Sequence, residues 1–237
     1  MTSNLTVPPR REYQSFHDLP IVTDLDSIEA DVAILGIPFS DPYSMEEVTN
    51  DQTNAPTSIR RFCQRALRGI ERWDFDVGGQ IFDGKDIRVV DVGDVPGNPR
   101  DMGEHYRKAE EVTRKLLAKN ILPIVLGGDH GIPIPVMRAY EGRGPITLVH
   151  IDAHLDWRDH VNGAREGYSS PIKRASEMDH IDQIFQIGLR SAGSARPEEV
   201  EDALAYGAHL IPDIELQRIG MQAVLDRIPD GGQYYLT

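Results

Sequence analysis

Asp152, His154 and Asp156 are metal-ligating residue types spaced two apart in Asp152-Ala153-His154-Leu155-Asp156. They follow an apolar run, Ile146 to Ile151, that reads as a buried strand. On extended backbone, alternate residues point to the same side. If the extended backbone continues past the strand end, two carboxylates and an imidazole converge on one point. That donor set suits a divalent cation of the manganese or zinc type. A second apolar run, Ile121 to Leu126, ends in Gly127-Gly128-Asp129-His130. Two strand ends, each delivering a histidine and acidic residues, point to a metal site at the edge of a parallel sheet. Each motif also has a plainer reading. Gly-Gly-Asp-His alone fits a simple strand-to-helix turn, and an isolated D-x-H-x-D fits capping or surface residues. A phosphate loop is disfavoured, because Asp129 would repel the anion and no G-x-G-x-x-G is present. His150 shares the parity of His154 but lies a step deeper and reads as a core histidine. His17, His105, His180 and His209 read as structural or exposed, and His160 keeps a place as a loop candidate.

The elements that must position these residues follow from the hydrophobic pattern. Strands are expected at Asp31–Ile37, Ile87–Gly93, Ile121–Gly127, Ile146–Asp152, Asp182–Gly188, His209–Pro212 and Gln233–Leu236. Most are unbroken apolar runs, as in strands covered on both faces. Helices are expected at Pro56–Leu67, Gly103–Asn120, Ile132–Tyr140, Pro197–Tyr206 and Leu216–Ile228. The second is the clearest, with Ala109, Val112, Leu116 and Leu117 on one stripe. Strand–helix alternation predicts an α/β fold with a doubly wound, mostly parallel sheet and helices on both faces. Ligands of such sheets bind beyond the carboxyl ends of the strands, where both motifs fall. Polar stretches at Asp41–Asn54 and Trp157–Ser170 read as loops on that side, the second a candidate substrate loop.

Composition narrows the classes. The 237 residues suffice for one α/β domain with its own core. With 25 basic and 38 acidic residues the formal charge is −13, and no basic cluster stands out. Nucleic acid and anionic membrane are therefore poor partners. A single cysteine, Cys63, leaves no intrachain disulfide and fits a reducing cytosol. Met1 to Arg11 does not read as a secretory signal, and no apolar run reaches the roughly 20 residues of a membrane span. The expectation is a soluble, cytoplasmic protein.

The stretches GGDH and HIDAHLD resemble the ureohydrolases, the arginase and agmatinase family. Agreeing pieces occur in order: ADVAILGIPF at Ala30–Phe39, NAPTSIR at Asn54–Arg60, DVGDV at Asp91–Val95 and QIGLRS at Gln186–Ser191. The resemblance covers most of the chain and implies an arginase-like three-layer α/β/α fold with two manganese ions at the carboxyl edge of its sheet. By matching motif positions, His130 would bind one ion and His154 the other. Asp152 would bridge them, and Asp156 would share the first ion with His130. A metal-bridging hydroxide would attack a guanidinium carbon and release urea and an amine. Asp156 could also accept that hydroxide's proton as a hydrogen bond, which makes it the catalytic candidate. The family usually assembles as trimers or hexamers.

Two departures from the family pattern shape the expectations. The family's third metal motif, D-x-D-x-x-D-P, follows a strand that Gln233–Thr237 resembles. The domain 1–237 thus reads as one ureohydrolase-like domain, incomplete at its carboxyl end. It carries four of six expected ligands, so these residues alone would hydrolyse poorly and would expose core. Second, the family's S-H-G-T-P-like motif appears as Gly167-Tyr168-Ser169-Ser170-Pro171, with Tyr168 in place of the proton-shuttling histidine. Tyrosine shuttles protons poorly near neutral pH. Arg158 is a possible clamp for a substrate carboxylate, although a solvated arginine is the plainer reading. The leading expectation is a manganese-dependent hydrolase of agmatine or a guanidino acid. The rivals are a catalytically degenerate homologue serving as a binding or assembly subunit, and a mononuclear zinc amide hydrolase of the related deacetylase fold. His130 together with Asp152–Asp156 argues against the zinc enzyme.

Overall fold

The computed structural model describes residues 5–8, 15–47, 51–66, 72–98 and 101–237. Parts of three sequence readings lie outside these residues: the amino-terminal stretch in part, loop residues 48–50, and Leu67 at the end of an expected helix. The chain divides into two compact units. The first comprises residues 1–40 and 46–135, the second 41–45 and 136–237.

The first unit contains β1 (Val32–Ile37), α1 (Ala55–Ala66), β2 (Trp73–Asp74), β3 (Gly79–Gln80), β4 (Val89–Asp94), α2 (Met102–Ala118) and β5 (Leu122–Gly127). β1 lies between β4 and β5, parallel to both. β2 and β3 form a small antiparallel hairpin that the strand pattern did not predict. α2 buries Ala109, Val112, Leu116 and Leu117, the stripe read from its periodicity. Its amino end is capped by Asp101, whose Oδ1 accepts from the Glu104 amide at 2.8 Å. β5 is an edge strand, and its Leu122 and Ile124 stay exposed.

The chain passes between the units within α3 (Pro133–Arg138). The second unit then contains β6 (Ile146–Ile151), α4 (Pro171–Ala175), β7 (Ile181–Leu189), α5 (Pro197–Tyr206), β8 (His209–Pro212), α6 (Asp213–Ile219), α7 (Met221–Leu225) and β9 (Gln233–Leu236). Its sheet is parallel throughout, in the order β8-β7-β6-β9. Leu148, Leu155, Trp157, Ile172 and Ile184 share its main core. The expected helix Leu216–Ile228 is instead two helices, because Gly220 takes a φ of +83° that no helix accommodates.

One ion-pair cluster organises the first unit. Arg60 on α1 is fully buried. Its Nε and Nη2 bind the two Asp91 carboxylate oxygens at 2.8 and 2.9 Å, and Nη1 binds Asp94 Oδ1 at 2.6 Å. Asp91 also accepts from the backbone amides of Phe16 and Gly93, each at 2.9 Å. Gly36 is required beside this cluster, since a Cβ there would lie 1.8 Å from Asp94 Oδ1. Buried charges persist when their bonding capacity is filled this fully.

Arg60→Leu would leave Asp91 buried without its counter-charge and should cost about 3–5 kcal/mol in chemical denaturation. Arg60→Lys should recover little, because an ammonium cannot reproduce the fork. A second expectation concerns acid. His105 on α2 is buried, and burial pushes its imidazole below the ordinary 6.5, against a smaller raising effect of its bond to the Val95 backbone. The folded state therefore holds fewer protons than the unfolded chain. The contribution of this group to stability is fully present above pH 6.5 and is lost as the pH falls through its lowered folded value. Denaturation midpoints at pH 7.5 and 5.5 should show this loss in the wild type and a smaller one in His105→Gln.

Candidate metal centre

β6 ends at Ile151 and the backbone then turns. Asp152 Oδ1 accepts from the amide of His154 at 2.8 Å, which closes the turn over Ala153. The Asp152 amide donates to Ile187 O at 3.1 Å, and Ala153 O accepts from the Arg190 amide at 3.0 Å. The turn is thereby tied to the carboxyl end of β7. Asp156 then adopts a φ of +50°, a left-handed conformation uncommon outside glycine and most tolerated by Asn and Asp. Its flanking residues, Leu155 and Trp157, are both anchored in the core at 2% exposure. The extended backbone assumed from the sequence is thus replaced by a bend at 152–154 and a left-handed residue at Asp156.

The outcome is a compact donor group within the second unit. His150, Asp152 and Asp156 each offer a ligand atom, and these atoms lie within 4.8 Å of one another. His150 Nε2 stands 3.7 Å from Asp152 Oδ2 and 3.8 Å from Asp156 Oδ2. Asp156 is 7% exposed and His150 fully buried. His154 is mostly exposed, with Nδ1 3.0 Å from Asp152 Oδ1. Hard carboxylate oxygens with imidazole nitrogen suit a manganese- or zinc-type cation, so the donor chemistry fits such an ion.

Sequence reading passed over the residues behind this group. His150 was taken for a core histidine; it is buried, but it faces the two carboxylates. Gln186 on β7 is fully buried beside it, with its amide nitrogen 3.1 Å from His150 Nδ1 and 2.6 Å from Leu155 O. The available signal was a lone carboxamide inside the apolar run Ile184-Phe185-Gln186-Ile187.

His130 occupies the turn after β5, in the first unit, and is partly exposed. That turn is built by its neighbours. A Cβ on Gly128 would lie 2.0 Å from Phe39 O. The amide of Asp129 donates to the same oxygen at 2.8 Å, and its buried carboxylate accepts from Gly131 N at 2.8 Å. Asp129 therefore serves the turn.

The Trp157–Ser170 segment is a loop, as expected, and Asp159 is its hub. It binds Arg174 at 2.8 Å, Arg165 at 3.2 Å and His160 at 3.3 Å. The Arg174 bond, then that of His160, holds the Asp159 carboxyl well below its usual range, at about 2. His160 itself is exposed. Arg158 Nε pairs with Glu199 Oε1 at 3.0 Å. Tyr168 packs its ring against Tyr43, with centroids 4.3 Å apart. Tyr43 in turn bonds Ser169 through its hydroxyl at 2.9 Å.

The arginase family model matches residues 30–237. The chain belongs to the arginase family. It is 34% identical to the guanidinobutyrase of Pseudomonas aeruginosa over 224 residues, covering 90% of this chain and 65% of that protein. It is 29% identical to the mitochondrial agmatinase of Gallus gallus, covering 89% of this chain and 61% of that one. The structure of proclavaminate amidino hydrolase from Streptomyces clavuligerus superposes with a TM-score of 0.76 at 25% identity, covering 97% of this chain and 74% of that one. The arginase-like α/β fold read from the sequence is thus the observed one. The chain spans under two thirds of the length of these two curated relatives.

The left-handed turn makes a specific demand. Asp156→Ala and Asp156→Asn both remove the carboxylate, but only asparagine tolerates the backbone. Thermal or urea denaturation should find the alanine variant less stable than the asparagine variant by about 1 kcal/mol.

Proposed function

We propose that the protein to which these residues belong is a manganese-dependent ureohydrolase that splits a linear guanidino compound into urea and an amine. The observation that carries this reading is the meeting of the Asp152 and Asp156 carboxylates in a turn held by left-handed backbone at a ligand residue. Backbone strain of that kind concentrates at functional sites. In this reading Asp152, His154 and Asp156 hold metal, and His130 joins them by its place in the family motif. Bound manganese would supply Lewis acidity that makes water nucleophilic near neutral pH. Asp156, nearly buried and fixed through Leu155, offers a carboxylate oxygen to accept the proton of the attacking water. The Asp152 oxygen that accepts the His154 amide is oriented by that bond.

The kinship with a guanidinobutyrase and an agmatinase supports a guanidino substrate, an acid or agmatine. For an acid, Arg158 would meet the carboxylate through its Nη atoms, since Glu199 engages Nε. Arg190 adds an exposed guanidinium in the wall of a cavity of about 510 Å³ beside Leu155. His160 and Tyr168 complete the proposed substrate loop. We place the protein in the cytoplasm on its single cysteine, which fits a reducing compartment, and as a homo-oligomer on the family resemblance. A second reading, a degenerate homologue acting as a binding or assembly subunit, draws support from Tyr168, whose ring is committed to packing on Tyr43.

The intact natural protein, loaded with manganese, should release urea from 4-guanidinobutyrate, 3-guanidinopropionate or agmatine. Asp152→Asn should lower that rate by more than about 100-fold, beyond the usual cost of disturbing groups behind a metal ligand. Silence across the panel overturns the enzyme reading. Independently, two manganese ions per chain by metal analysis favour the enzyme, and none favours the assembly subunit.

A further inference from the structure

His150 and Gln186 are partners across the β6–β7 ladder, and both are fully buried. Their hydrogen-bond pattern determines where the imidazole carries its hydrogen. The Gln186 amide nitrogen donates to Leu155 O at 2.6 Å. The reversed amide would press Oε1 against that carbonyl oxygen, bringing two acceptors together, so the orientation is set. Oε1 finds no donor among the described residues, a cost accepted for this orientation. The second hydrogen of the same nitrogen faces His150 Nδ1 at 3.1 Å. An amide nitrogen only donates, so Nδ1 is the acceptor and the hydrogen of the neutral ring sits on Nε2. Nε2 is the atom that stands 3.7 Å from Asp152 Oδ2 and 3.8 Å from Asp156 Oδ2.

We propose that His150 is a positioning residue: its Nε2–H is aimed between the Asp152 and Asp156 carboxylates, sets the spacing of their ligating oxygens, and does not itself bind metal. This rests on the metal reading above and adds to it. A ring nitrogen that carries hydrogen has no lone pair for a cation, so proximity alone does not make His150 a ligand. Set between two carboxylates, the N–H dipole offsets their mutual repulsion while the site is forming. Gln186 acts at two points. It orients His150, and through Leu155 O it holds the backbone that enters the left-handed turn at Asp156. Outer groups that orient ligands in this way tune metal affinity.

The test measures manganese affinity from the free-ion electron paramagnetic resonance signal of the intact natural protein. His150→Phe and Gln186→Leu should each weaken binding about 10- to 100-fold. His150→Gln, which restores an N–H donor, should recover part of the loss. Nitrogen-15 spectra of the metal-free ring should show hydrogen on Nε2 in the wild type. In Gln186→Glu, where a carboxylate faces Nδ1, the hydrogen should be on Nδ1. The proposal is overturned if the wild-type ring carries hydrogen on Nδ1, or if folded His150→Phe binds manganese as tightly as wild type. Should that variant not fold, Gln186→Leu and the nitrogen spectra decide. No manganese uptake by the wild type overturns the metal reading itself, and this proposal with it.

Discussion

Carboxylates brought into one small group repel each other, and the second unit is arranged around tolerating this at Asp152 and Asp156. Desolvation makes the repulsion stronger, and Asp156 is nearly buried. The backbone contributes first: a turn closed by the His154 amide on Asp152 and a left-handed residue at Asp156 fix both side chains before any ligand arrives. Buried polar groups contribute next, with Gln186 bonded to Leu155 O and His150 Nε2 set near both carboxylates. The core then holds the frame, since Leu155 and Trp157 bracket Asp156 and are packed away from solvent. Trp157 also donates its Nε1–H to Asp202 at 2.6 Å, which ties the start of the loop to α5.

The same economy recurs in the first unit with a different outcome. There Asp91 and Asp94 also approach each other, but Arg60 fills the space between them with a buried fork. One acidic pair is neutralised by the chain itself, so it supports structure. The other gathers its carboxylates within 4.8 Å of each other, a group that could hold a divalent cation. Asp91 and Asp94 lie on β4 whereas Asp152 and Asp156 follow β6, and what distinguishes the pairs is the partner each meets.

Much of the architecture was legible from short apolar runs bounded by polar residues, glycine and proline, whether buried as in β1 and β6 or largely exposed as in β9. Val32–Ile37 and Ile146–Ile151 are continuous apolar runs, and His209–Pro212 and Gln233–Leu236 were bounded at the residues observed. The stripe on α2 identified its buried face. Elements without a strong period were missed. α4 is five residues long, too short for a helical repeat to show. The β2–β3 hairpin pairs only two residues per strand, although Trp73, Phe75 and Val77 alternate with acidic residues. The break at Gly220 was visible as a glycine, but periodicity on either side outweighed it.

For the site, the sequence by itself determined the residue types, their order after the strand ends, and through them the arginase family. Side-chain chemistry and strand punctuation are local properties, written in consecutive residues. Tertiary structure alone decided which atoms share a point. It turned the chain at Asp152 and Asp156 where extension was expected, because Leu155 and Trp157 gain more from the core than the turn costs. It also brought Gln186 from β7 against His150, a pairing 36 residues apart along the chain. No periodicity encodes such a contact, because it depends on the register of two strands and on what each must bury.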